Sequence, residues 1–458
     1  MKRTGPILAA LLALLVTGPA GAWQAQTTHA GLAEQAALAS RLHARLELLG
    51  FHGGLFEPLT IPPADAEALS KALHLLSPSQ GSVPDTRGRQ PALAWIAAGA
   101  ALADLPTSQA ANHFYDPTTG TGWARPDLGI TDHVRELLGR SALPARGVPA
   151  PDWVVAKENP FNLTGFLDQY AKAVSAPTPG ERSRHMAAAL IAAGAMLHTL
   201  GDLGSPARVR GDYAAQLEPL GGGPDDLGSR FERIAELAYG RLGAPAPGRI
   251  VTRTHLRDYF TAKDGTGLAD VIAASYFSPN TLPAAAKVGD DAKPALARPK
   301  PTLPARLNLM AASREDGATV RNPAGVCLAR YRVEHDLMTF SLDDDCMLEE
   351  VSAILPEVSA FETGLLDFLL RGELVVTVSG EIAVTGKGLG AGTIEILAED
   401  ERGVRTSLGA QSVSGGDDTA VLAHVPVPAQ GLRVVAVYRG VDAAHEPLVA
   451  VGAAPITR

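Results

Sequence analysis

Apolar residues recur at three- and four-residue steps over residues 29–49, where Leu32, Ala36, Ala39, Leu42, Leu46 and Leu49 form one stripe. This spacing predicts an amphipathic helix with Thr28 as its N-cap. Helices are also predicted over 92–104 (ALAWIAAGAALAD) and 181–202 (ERSRHMAAALIAAGAMLHTLGD). The second is Ala-rich and nearly uninterrupted, the pattern of a helix buried on all sides. Further helices are expected over about 227–242 and over 347–370 (MLEEVSAILPEVSAFETGLLDFLL). Beyond Gly372 the period changes. LVVTVS, TIEILAE, TAVLAHV and LRVVAVY are short β-branched runs between Gly-rich turns, which predicts a small β-sandwich of about 85 residues. The stretch 278–306, rich in Pro and Ala, reads as a linker or long surface loop.

The expected class is therefore mainly α, a multi-helix domain followed by a β-sandwich. The expected boundaries are 1–22 for a leader, 23–277 for the helical domain, 278–372 for a linker with a hairpin and a closing helix, and 373–458 for the β-sandwich.

Composition narrows the function. A chain of 458 residues exceeds one ordinary core and suggests two domains. With 46% hydrophobic and 19% charged residues it is globular. A net charge of −9 argues against an extended nucleic-acid surface, though not against a small cleft for one phosphodiester. Lys2 and Arg3, the apolar run Ile7–Val16 and the A-x-A pattern Ala20-Gly21-Ala22 read as a secretory signal peptide cleaved before Trp23. No later stretch reads as a transmembrane helix. Localisation is expected to be secreted or periplasmic. The two cysteines, Cys327 and Cys346, flank a segment with strand-like alternation. They either pair across a hairpin in an oxidising compartment or remain buried thiols. With no C-x-x-C, a thiolate metal site is not expected.

The candidate chemistry lies in four segments. His198 and Asp202, four apart on a helix, share one face, and both are good zinc ligands. Alone they read equally as a hydrogen-bonded pair. Asn112-His113-Phe114-Tyr115-Asp116-Pro117 follows the helix that ends at Asp104, and Trp23 and His29 stand at the expected mature N-terminus. The remaining histidines have no partner at ligand spacing. The acidic runs Asp343-Asp344-Asp345 and Asp417-Asp418 read as solvated loops.

In type, order and spacing these residues, with NHFYDP and LHTLGD followed by SPARVRGD, resemble the zinc-dependent phospholipases C of the alpha-toxin type, a family related to single-strand-specific zinc nucleases. The resemblance covers roughly residues 23–245. It implies one zinc held by Asp104, His113, His198 and Asp202, and a second held by Trp23 through its free amine and carbonyl, His29 and a bridging Asp202. It further implies a phosphate-ester substrate, phospholipid first, attacked by a hydroxide bound to both zinc ions.

A third metal position of the family is degenerate here. Arg208 and Gly228 stand where the family has histidines, and Glu232 alone remains. About two zinc ions are therefore expected. Asp104 and Arg208 are assigned catalytic roles, with Arg208 standing in for the missing charge and Glu232 orienting it. The β-unit would be an accessory module that contacts membrane surfaces. The alternatives are a nuclease-like phosphodiesterase and a catalytically degenerate secreted binding protein on the same scaffold.

Overall fold

The computed structural model describes residues 25–60, 89–125, 144–220, 227–240, 243–288, 308–414, 419–429 and 431–456. The leader-like segment, Trp23, most of the Pro- and Ala-rich stretch and Asp417-Asp418 lie outside these.

The helical body is built from α1 (Ala30–Ala39), α2 (Leu42–Leu49), α3 (Ala92–Leu102), α4 (Leu163–Ser175), α5 (Pro179–Gly201), α6 (Arg230–Ala238), α7 (Leu268–Ser275) and α8 (Asp344–Leu369). Helix α5 is its axis. It starts at a capping box, in which the Thr178 side chain accepts from the Glu181 amide and Glu181 reaches back to the Thr178 amide. It packs on α3, α4 and α8. Length and composition would let 179–204 cross a membrane, against expectation, but 94% of its apolar window is buried inside the fold. The crossing with α3 is close because glycines meet there. A Cβ on Gly99 would strike the Ile191 carbonyl, and one on Gly194 would strike that of Ile96.

The single helix expected over 29–49 is two. The chain enters through a π turn (Ala25–His29), so Thr28 is buried inside helical structure and does not cap it. At the break between α1 and α2, Ser40 Oγ accepts from the Leu42 amide, and the Arg41 amide donates to Asp367 on α8. A side chain thus replaces the helical partner at the break. Helix α6 is shorter than its expected 227–242, starting after a Ser229 cap.

After the body comes a small sheet, Ala286–Lys287 beside β3 (Leu337–Ser341), β2 (Cys327–Glu334) and β1 (Ala318–Arg321), all antiparallel. A Cys327–Cys346 disulfide ties β2 to the first turn of α8. The acidic run 343–345 is more engaged than a solvated loop. Asp343 caps α8 by accepting from the Cys346 amide, and Asp344 pairs with Arg230.

The C-terminal unit has two antiparallel sheets. One runs β8 (Thr419–Pro426), β5 (Glu381–Lys387), β4 (Leu374–Ser379). The other runs β7 (Arg405–Val413), β6 (Leu389–Glu399), β9 (Arg433–Asp442), β10 (Pro447–Pro455). Strand alternation divides β9 and β10 between two cores. Val434, Ala436, Tyr438, Leu448 and Ala450 join β4 and β5 in one apolar cluster, while Val435, Val437, Val449 and Val451 join the core of the helical body. Strands β9 and β10 are buried on both faces, which is why LRVVAVY reads as a continuous apolar run. "Mainly α" thus describes only the first part of the chain. Among the described residues, three multistranded antiparallel sheets make up much of the rest.

Candidate metal centre

Two helix ends, a 3-10 turn and a π turn bring the polar residues together. Asp104 lies just beyond the end of α3, His198 is in the last turn of α5, and Asp202 is its C-cap. His113 follows the 3-10 turn Thr107–Asn112, and His29 closes the π turn that leads into α1. Donor atoms from Asp104, His113, His198 and Asp202 all lie within 4.8 Å of one another.

Asp202 is the hub. His113 Nδ1 lies 2.8 Å from its Oδ2 and His29 Nε2 lies 3.1 Å from its Oδ1. His198 Nε2 sits 3.1 Å from Asp202 Oδ2 and 3.5 Å from Asp104 Oδ2. The His29 ring stacks on that of His198 at 3.8 Å. His29, His113, His198 and Asp202 have no exposed side-chain surface, and Asp104 keeps 14%. Substrate or solvent access therefore leads to Asp104 first.

Two features fit this donor set to a divalent cation. His198 Nδ1 donates to the Ala100 carbonyl at 2.6 Å, which fixes the tautomer and presents Nε2 to the carboxylates as an acceptor. His113 Nε2 is buried without a partner, and the contacts of His198 Nε2 with Asp202 at 3.1 Å and of Asp104 Oδ1 with His113 Nδ1 at 3.2 Å are ion-pair contacts without hydrogen-bond geometry. Two imidazoles and two carboxylates also suit zinc chemically.

Burial opposes a charge on His198, but Asp104 and Asp202 outweigh it and push its pKa up to about 10. Burial and the His198 charge drive His29 down to about 4. Burial would raise Asp202, yet Arg208 and the histidines hold it well below the usual carboxylate range.

Arg208 lies in the short helical turn Pro206–Val209 and is 2% exposed. Its Nε donates to Glu232 Oε1 at 2.9 Å, its NH1 stands 3.3 Å from Asp202 Oδ2, and its guanidinium lies 4.6 Å from the Phe114 ring centre. Glu232 also accepts from Gln216, and burial lifts its pKa to about 7 against the pull of Arg208. The structure thus brings together His29, Asp104, His113, His198, Asp202, Arg208 and, through Arg208, Glu232. Trp23 lies outside the described residues.

One neighbour went unnoticed in the sequence. Glu362 on α8 is 1% exposed, and burial raises it well above the ordinary glutamate pKa. The signal that could have marked it is a carboxylate set in the apolar stretch Val358–Leu366.

No protein-family model matches this chain, and no curated protein does. Among solved structures, the alpha toxin from Clostridium absonum is 13% identical at a TM-score of 0.27, over 96% of each chain. The alpha-toxin of Clostridium perfringens, from avian strain SWCP, is 12% identical at a TM-score of 0.24, over 95% of this chain and all of that one. Likenesses this distant carry no argument about fold or chemistry, which rest on the geometry above.

Proposed function

We propose that this protein is an extracytoplasmic zinc-dependent phosphoesterase, phospholipase C-like in its chemistry, with a phospholipid head group or another phosphate ester as substrate. The observation that carries the reading is the meeting of Asp104, His113, His198 and Asp202, from three separate chain segments, with their ligand atoms facing one another in a buried group. Carboxylates and imidazoles gathered this closely away from water are the donor set that a divalent cation would complete. The contacts of Asp202 with His29 on one side and with His113 and His198 on the other support a role for it at two metal positions. The second would add Trp23 once the leader is removed.

Bound zinc would supply Lewis acidity and lower the pKa of coordinated water. The chain's own residues do the rest. Asp104, ionised and nearest the surface, accepts the proton of the attacking water at Oδ1. Arg208 holds a permanent charge beside Asp202 and offers its NH1 to a phosphate oxygen. Glu232 fixes the guanidinium through Nε. The leader-like segment and the disulfide support an oxidising, extracytoplasmic location. A net charge of −9 favours a compact phosphoester over a nucleic-acid strand. The two-sheet unit at the C-terminus is assigned an accessory role at a lipid surface, by analogy only.

The burial of His113, His198 and Asp202 supports a second reading, a closed structural metal site on a non-catalytic binding scaffold. One experiment separates the two. The secreted protein, whose N-terminus should read Trp23, is assayed for metal content and for hydrolysis of a chromogenic phosphodiester and of phosphatidylcholine vesicles. The phosphoesterase reading expects about two zinc ions and hydrolysis abolished by a chelator and restored by zinc. Zinc without hydrolysis of either substrate supports the structural reading, and no zinc after supply overturns both.

A further inference from the structure

We propose that Glu362 is a positioning residue of the metal centre, holding His29 from its Nδ1 edge so that Nε2 faces Asp202. This rests on the metal reading above and extends it to a helix far along the chain from the other site residues.

Helix α8 brings the Glu362 carboxylate against Gly201, the residue before Asp202. A Cβ at Gly201 would collide with Glu362 Oε1, and it would lie 3.2 Å from His29 Nδ1 and 3.3 Å from Cε1. The carboxylate and the Nδ1 edge of the imidazole therefore converge on one point, above a residue that has no side chain to separate them. The opposite nitrogen of the same ring, Nε2, is 3.1 Å from Asp202 Oδ1. Stacking on His198 leaves the ring little freedom to tilt.

Glu362 has no structural partner that accounts for it. It is 1% exposed, neither carboxylate oxygen has a hydrogen bond, and its helical neighbours Val358, Phe361, Leu365 and Leu366 are buried hydrophobics. An apolar residue in its place would remove a buried unpaired acceptor and its cost. A carboxylate behind a metal-binding imidazole does have a use. It accepts the proton of the nitrogen that does not bind metal, orients the ring and makes the other nitrogen a better ligand.

The role predicts effects of opposite sign in two measurements on the full chain. Zinc binding to Glu362→Gln is followed calorimetrically, and the zinc-free protein is melted at neutral pH. One of two zinc positions should weaken by about 10–100-fold, the range for losing such a partner, while the other is unchanged. The zinc-free variant should melt no lower than the parent, because a buried unpaired carboxylate has gone. Glu362→Asp, which keeps the charge on a shorter arm, should recover part of the affinity. Unchanged zinc binding in Glu362→Gln overturns the proposal and leaves the metal reading intact. A lowered melting temperature of the zinc-free variant also overturns it, because the residue is then structural. A parent that binds no zinc removes the metal reading, and this proposal with it.

Discussion

Two buried charged groups in this protein are partnered in opposite ways. One is Arg405, at the seam between the helical body and the sheet β7–β6–β9–β10. It is 3% exposed and donates Nε to Glu399 at 2.7 Å, NH1 to the Val174 carbonyl and NH2 to the Leu49 carbonyl at 2.7 Å. Arg182 beside it donates to the carbonyls of Ala176, Pro177 and Gly403. The other is the group around Asp202, where His198 Nε2, Asp104 Oδ1 and Arg208 NH1 are buried without a hydrogen bond. Arg405 is completed by atoms of the chain itself, so its work is structural: it fastens a sheet to α2 and α4. The Asp202 cluster has ligand atoms that the chain leaves without a hydrogen bond, the arrangement that a bound cation could complete. Buried charge alone does not distinguish the two. What does is whether each polar atom has its partner.

The sharpest way to break this contrast is a pair of substitutions read in the same two assays. Asp202→Asn should weaken zinc beyond about a hundredfold at both positions, more than the loss of any single outer partner. It should also lower the melting temperature of the zinc-free protein, because Arg208 and His198 lose the buried carboxylate between them. Arg405→Ala should touch stability alone. Stripping Glu399 and two buried carbonyls of a donor costs on the order of 3 kcal/mol, seen as a melting temperature several degrees lower, with zinc affinity unchanged. Stability lost in Asp202→Asn without any loss of zinc would erase the distinction.

Much of this was legible in the sequence, for identifiable reasons. Helix α5 declared itself because an Ala-rich, nearly uninterrupted run leaves few alternatives, and His198 and Asp202 had to share a face once that helix formed. Asp104 and His113 could be named only through the resemblance to the zinc-dependent phospholipases C, because each alone reads as an ordinary loop residue. The break at Ser40 was hidden because the apolar stripe resumes in register at Leu42 and Leu46, so periodicity could not see it. Glu362 was hidden for another reason. Helix α8 carries four glutamates, of which Glu349 pairs with Arg321 and Glu357 with Arg249 at the surface. Only the packing of α8 against Gly201 and Arg210 turns Glu362 and Glu350 inward. The double burial of β9 and β10 was legible only as the unbroken run in LRVVAVY, and their second core belongs to distant helices.

A smaller effect is expected at Arg208, which stands on the border between the two kinds of cluster. Its Nε is engaged by Glu232 as a structural arginine's would be, while NH1 faces Asp202 without a hydrogen bond. If it serves the phosphate, Arg208→Ala keeps two zinc ions and loses about a hundredfold in phosphodiester turnover, typical of one electrostatic donor. Arg208→Lys then recovers only part, because an ammonium restores the charge but not the fork. Turnover equal to the parent in Arg208→Ala would move this arginine to the structural class with Arg405.

The smallest effect tests a third pair whose class is open, Arg210 and Glu350. Glu350 on α8 is fully buried, and neither oxygen has a hydrogen bond. Arg210 is occupied elsewhere, donating NH1 to the Ala273 carbonyl at 2.6 Å and Nε to Thr281 Oγ1 at 2.8 Å, with its guanidinium 5.3 Å from the Phe277 ring centre. Burial therefore prevails over the pull of Arg210 and raises the Glu350 pKa well above 4.5. Tyr276, itself raised to about 12 by burial and nearby acids that include Glu350, stays neutral and does not enter the balance below that pH. The sign follows from linkage. With the folded pKa above the unfolded one, the folded state holds a proton the unfolded state has released. The advantage of the protonated carboxyl is complete below about pH 4.5 and is lost as pH rises through the folded value. Glu350→Gln carries a neutral group at every pH. Its melting temperature should exceed that of the parent at pH 8, and the difference should close as the pH falls toward 4. A difference that stays flat from pH 4 to 8 would mean that Arg210 fully compensates the ionised carboxylate. The pair would then be a finished ion pair like that of Arg405, and an unpartnered oxygen would no longer suffice to mark the incomplete kind of cluster.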